Sequence, residues 1–157
     1  MHRPACLVFA FLLVCSCSSG TATATEPSPV AVALCSRLGE IKHIPFKDES
    51  INDEVYTKLM EQGQAVVPCL IDQIANQTRM EDPDSVPSPP DFRVGDLAFF
   101  LLLDITKVPF EQMLPESVNN QAKEQGVYSY FAWVHNPAHR KRLQDKWRAW
   151  LKQQGRR

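Results

Sequence analysis

The side chains with chemistry to offer are five cysteines, a few histidines and two aspartates set in an apolar stretch. His135 and His139 are four apart, the spacing that puts two metal ligands on one helical face. Asn136-Pro137 lies between them and starts a new helix, so they read as two exposed histidines beside a basic segment. Asp96 and Asp104 lie in the most hydrophobic part of the chain, where a carboxylate pair could serve a hydrolase. Asp96, however, falls in a first helical turn, where an acid complements the dipole and cap, and Asp104 falls near the end, at the rim. A nucleophile needs a base and an orienting group. The sequence contains no Gly-x-Ser-x-Gly, His-Glu-x-x-His or Cys-x-x-Cys. The expectation is a protein that is not an enzyme, with no catalytic residue, no metal and no cofactor. A hydrolase built on Asp96 stays as a minor alternative, and its activity would vanish with Asp96→Asn.

The cysteines carry more. His2 and Arg3 precede an apolar run of ten residues from Ala5 to Val14. That is the length of a signal core and too short to span a hydrocarbon layer about 30 Å thick. Val14-Cys15-Ser16-Cys17 follows, in the order aliphatic, small, small, cysteine. It resembles the lipobox of bacterial lipoproteins, with 1–16 as signal peptide. The resemblance implies that the Cys17 thiol takes a diacylglycerol. Ser18 and Ser19 follow without an acid, which by likeness to enteric lipoproteins implies the periplasmic face of the outer membrane. Ala22-Thr23-Ala24 supports an alternative, cleavage before Thr25 and a soluble periplasmic or secreted protein. Cys35 and Cys69 remain in an oxidising compartment. They form either a disulfide or a pair of buried thiols.

Charge is segregated. Residues 18–134 carry 8 Lys and Arg against 17 Asp and Glu, whereas 135–157 carry 8 against one Asp, within a formal net charge of −1. Arg140, Lys141, Arg142, Lys146 and Arg148 are expected on a solvated helical face or against anionic lipid. Nucleic acid is not expected as a partner of an exported chain. Glu81, Asp82 and Asp84 belong to a proline-rich excursion from Asn76 to Pro90, longer than most loops of compact domains, and Asp91 lies just beyond it. Such an acidic segment could recognise a basic partner through electrostatic steering.

These residues are positioned by helices. Residues 17–29 are small and polar and read as a disordered tether, leaving 30–157 as one helical domain. Val30–Leu38 is a short apolar helix. Ser50 to Asp53 supplies N-cap chemistry for a helix whose Val55, Tyr56, Leu59 and Met60 recur at helical spacing and which Gly63 ends. A second helix, with Pro68 in its first turn, places Val66, Val67, Leu70, Ile71 and Ile74 on one face. Val94–Ile105 is a central core helix, Phe110–Leu114 a helical turn, and Val127–Val134 is ambiguous between helix and strand. Asn136-Pro137 opens a last helix running to about Gln154, with Leu143, Trp147, Trp150 and Leu151 as its apolar stripe.

Tyr56–Ile74 resembles a HEAT-type repeat through Gly63, Val67, Pro68, Leu70 and Ile71, and Arg93, Ala98, Leu101 and Ile105 fit the first helix of a following repeat. The resemblance implies an all-α fold of about five or six helices around αα-hairpins that need stacked neighbours. The functional expectation is a non-catalytic envelope lipoprotein that binds another protein, an inhibitor or immunity-type protein facing a basic envelope-targeting enzyme. The alternative is a structural or accessory lipoprotein of an envelope assembly, in contact with anionic lipid or peptidoglycan.

Overall fold

The computed structural model describes residues 28–42, 53–80 and 91–156. The signal segment, Cys17, most of the tether, His43 and the loop acids Glu81, Asp82 and Asp84 lie outside the described residues. Within them the fold is all-α. The only pairing of extended backbone there is an isolated antiparallel bridge between Arg79 and Arg93.

The first helix, α1, spans Pro29–Ser36. The last two residues assigned to the tether start it: Ser28 accepts a hydrogen bond from the Ala31 N–H at 3.1 Å, and Pro29 fills a position where a missing N–H costs little. A 3-10 turn at Leu38–Glu40 follows. Helix α2, Glu54–Gln62, begins at Asp53, whose carboxylate accepts from the Tyr56 N–H at 3.0 Å. It stops at Gly63, where φ is 51°, a conformation that a β-carbon disfavours. A 3-10 turn at Gly63–Val66 leads into α3, Val67–Gln73, with Pro68 in its first turn as expected.

Helix α4, Val94–Thr106, is the hub. Val94 through Phe99 are all buried, so its first turns have no solvent side. The principal partner of α3 is this helix, with α8 and α1 next. The crossing is close because residue 95 is glycine. A β-carbon at Gly95 would lie 2.3 Å from the Ile74 carbonyl oxygen, whereas the Gly95 N–H donates to the Asn76 carbonyl at 3.0 Å. Two more backbone bonds, Met80 N–H to Phe92 O and Val94 N–H to Thr78 O, both 3.0 Å, join the two sides of the base of the long excursion.

Helices α5, Phe110–Met113, α6, Glu116–Gln125, α7, Tyr128–Val134, and α8, Pro137–Gln154, complete the domain. The ambiguous aromatic segment is helix, and it contributes Tyr130 and Phe131 to a cluster with Phe92, Phe99, Phe100 and Phe110. Phe99 and Tyr130 stack with centroids 4.7 Å apart. Helix α6 has no counterpart in the reading of apolar periodicity. Its sequence is polar and Val118 is its one buried residue, so a hydrophobic stripe cannot reveal it. Asn136 caps α8 by accepting from the Ala138 N–H at 2.9 Å, confirming the Asn-Pro start.

Candidate functional site

The strongest concentration of polar groups is inside the domain, where α4, α7 and α8 meet. Asp96 is fully buried at the third helical position of α4. Its carboxylate takes the expected capping role, accepting from the Arg93 N–H at 2.9 Å. It also receives both arms of the Arg140 guanidinium from α8, at 2.7 and 3.0 Å, and the Tyr130 hydroxyl from α7 at 2.9 Å. Four donors thus converge on two oxygens.

Burial and the Asp96 charge together push the Tyr130 hydroxyl well above the usual tyrosine range. Burial alone would lower the Arg140 guanidinium, but the Asp96 hydrogen bond and charge more than offset it and hold Arg140 above its ordinary value. The arrangement is a neutralised, fully hydrogen-bonded ion pair. With both oxygens accepting hydrogen bonds and no exposed surface, the Asp96 carboxylate joins three helices.

Arg140 therefore departs from the expected exposed basic face: it is 3% exposed. The reason is its position on α8. Arg140, Leu143, Gln144, Trp147 and Leu151 recur at three- and four-residue spacing, so Arg140 extends the apolar stripe by one turn. An arginine on an apolar stripe and an aspartate in an apolar helix were the signal for this pair, and sequence reasoning left them apart. It also missed Tyr130 as a polar partner, and Gln144. The Gln144 amide is buried and donates to the Ile71 and Asp72 carbonyls at 3.0 and 2.9 Å, at the C-terminal end of α3, where the Ile71 carbonyl also accepts from the Ile74 N–H at 3.3 Å.

The other basic residues of α8 divide into two sets. Arg148 bonds Asp72 of α3 at 2.8 Å and lies 3.6 Å from Asp145, and Lys141 pairs with Asp145. Arg142 and Lys146 are exposed, as are Lys152 and Arg156, and none of these has an ion-pair partner among the described residues. His135 is exposed. His139 is half-buried, stacked on Trp133 with centroids 4.9 Å apart and its Nδ1 2.8 Å from the Trp133 carbonyl, so it is not the free histidine expected. Asp104 is exposed at the rim of α4, as anticipated.

Of the acidic recognition set only Asp91 is described. Its carboxylate meets Arg93 at 2.6 Å and Arg79 at 3.8 Å, and the Arg93 hydrogen bond and charge hold it below the usual carboxylate range. Asp91 belongs to the neck of the excursion. Cys35 of α1 and Cys69 of α3 form a disulfide, with Cα atoms 6.1 Å apart and a sequence separation of 34. The open choice between bridge and buried thiols is settled in favour of the bridge, which ties the first helix to the core.

Comparison with protein-family models, with curated proteins and with solved structures returns no match.

Proposed function

We propose that this chain is a non-catalytic envelope lipoprotein, acylated at Cys17, whose helical domain acts by binding another protein. The leading form of the proposal is an inhibitor or immunity-type protein that blocks a basic enzyme directed at the cell wall or envelope. The observation that carries it is the use made of the interior polar groups. Asp96, Arg140, Tyr130 and Gln144 all serve to join helices, so the chemistry left to the domain is that of its surface. That surface includes a shallow depression on α2 lined by Asp53, Glu54, Thr57, Lys58 and Glu61, where Lys58 pairs with Glu54 and Asp53 and Glu61 leave the lining net acidic. Acidic surfaces steer basic partners and speed their encounter.

Affinity capture from envelope extract with the full chain, across a range of salt, tests the reading. A stoichiometric partner carrying net positive charge, weakened by salt, is the expected result. Recovery of no stoichiometric partner at any salt concentration overturns it.

A further inference from the structure

We propose that the outward face of α8 docks the domain onto an anionic bilayer surface through Arg142, Lys146, Lys152 and Arg156, a proposal that rests on the reading of a membrane-tethered chain. Arg142 and Lys146 are four apart and both exposed on the flank of α8 that turns away from the core, whereas Leu143 and Trp147 beside them are 1% and 0% exposed. Ala149 and Gln153 continue that side without charge, Lys152 stands at its edge, and Arg156 lies just past the helix end at Gln154. Arg140, Lys141 and Arg148 drop out of this set, because Asp96, Asp145 and Asp72 already neutralise them. Asp145, the one acid of α8, is held between Lys141 and Arg148 and leaves Arg142 and Lys146 uncompensated.

The complementarity is directional. Residues 18–134 hold 17 acids against 8 bases, so an anionic plane attracts this one face and repels the bulk of the chain. Each lysine or arginine near such a plane raises the affinity roughly five-fold, an effect lost beyond a Debye length of about 8 Å. Four such charges hold a protein arriving from solution only when the vesicles are in large excess, and they suffice to orient a domain already held at the surface by a lipid. Docking by α8 would therefore set the orientation of the domain at the surface.

The test uses the purified full chain, with mass spectrometry first establishing whether Cys17 is acylated. Acylated protein is reconstituted into vesicles of phosphatidylcholine alone or with about one-third phosphatidylglycerol; unacylated protein is added to the same vesicles from outside. An amine-acylating reagent then reports on each lysine. Lys146 and Lys152 should label several-fold more slowly on the anionic vesicles, with Lys58 and Lys123 unchanged, and the protection should vanish in about 1 M salt, where the Debye length is about 3 Å. Arg142→Gln with Arg156→Gln should cut the protection of Lys146 by half or more, at an unchanged thermal midpoint. Equal labelling on both vesicle types overturns the proposal, as does protection that survives high salt or the double substitution. Protection seen only after an acidic envelope protein is added assigns the face to that protein instead. A Cys17 found without lipid defeats the tethering reading by itself, and the labelling comparison on added vesicles still decides the docking.

Discussion

Replacing Asp96 by Asn leaves the Arg140 guanidinium enclosed opposite a neutral amide, and that is the most informative single change in the protein. Removing one partner of a buried ion pair costs about 3–5 kcal/mol, because the other charge stays desolvated. Chemical denaturation of Asp96→Asn should show a loss of that order, whereas Asp96→Leu combined with Arg140→Met should lose distinctly less. A double variant as unstable as the single one would show that the pair contributes more than the cost of breaking it. The neighbouring Gly95 is sensitive for a different reason. Its missing β-carbon would sit 2.3 Å from the Ile74 carbonyl oxygen and 2.8 Å from that of Asn76, and both are backbone atoms that cannot rotate away. Gly95→Ala should force α3 and α4 apart and lower stability by about 3 kcal/mol, read as a shifted urea midpoint. A midpoint within experimental error of the parent would refute the close crossing.

Among the elements, α8 does the most joining. One of its faces carries Arg140 to α4 and Gln144 and Arg148 to α3, interleaved with Leu143 and Trp147 in the core. Gln144→Leu keeps the volume but takes the side-chain donor from the Asp72 carbonyl and leaves the Ile71 carbonyl only the Ile74 N–H, at a buried helix end. The expected cost is about 1–3 kcal/mol, measurable by thermal unfolding and visible as faster amide exchange at the end of α3. The helices were legible to different degrees for stated reasons. The Ser50 to Asp53 cap signal, Gly63, Pro68 and Asn136-Pro137 announce ends by local chemistry, and the structure places the cap of α2 at Asp53, the last residue of that cap signal. Helix α6 buries only Val118, so a search for apolar stripes passed over it. Its end is marked by Gly126, with φ of 57° and its N–H bonded to the Ala122 carbonyl at 2.9 Å, a local signal that was present and unused. The Tyr128–Val134 segment is so rich in aromatics that period alone could not separate helix from strand.

At the scale of the whole molecule, the described residues include one covalent and one buried ionic fastening between helices, and each gives a distinct sensitivity. The Cys35–Cys69 bond closes a loop of 34 positions between α1 and α3. Constraint of the unfolded chain by a loop of that size is worth about 3–4 kcal/mol. Urea unfolding with and without a thiol reductant should differ by that amount; identical curves, with reduction verified by thiol titration, would rule the contribution out. The ionic fastening responds to alkali. Tyr130 has its folded value raised well above 10.0 by burial and by the Asp96 charge. A group raised on folding contributes its stability in full below its unfolded value and loses it as pH climbs toward the folded one. Stability should therefore hold up to about pH 10, where unfolded tyrosine ionises, and fall above it. Tyr130→Phe should flatten that fall. A slope above pH 10 that does not change in Tyr130→Phe would place the alkaline sensitivity elsewhere.

The fold class, the boundaries of most helices, the rim position of Asp104 and the presence of two cysteines able to pair were determined by sequence alone. Caps, breakers and apolar periodicity act over a turn or two, within reach of local reading. Only the tertiary structure decided which charges were free. Asp96 and Arg140 are 44 residues apart, and Asp72 and Arg148 are 76, so no local pattern states that they meet. That pairing turned an apparently uniform basic helix into one inner face that holds the domain together and one outer face with unmatched charge. Charge counted along a chain is a sum, whereas charge available to a partner is what remains after folding has neutralised the rest.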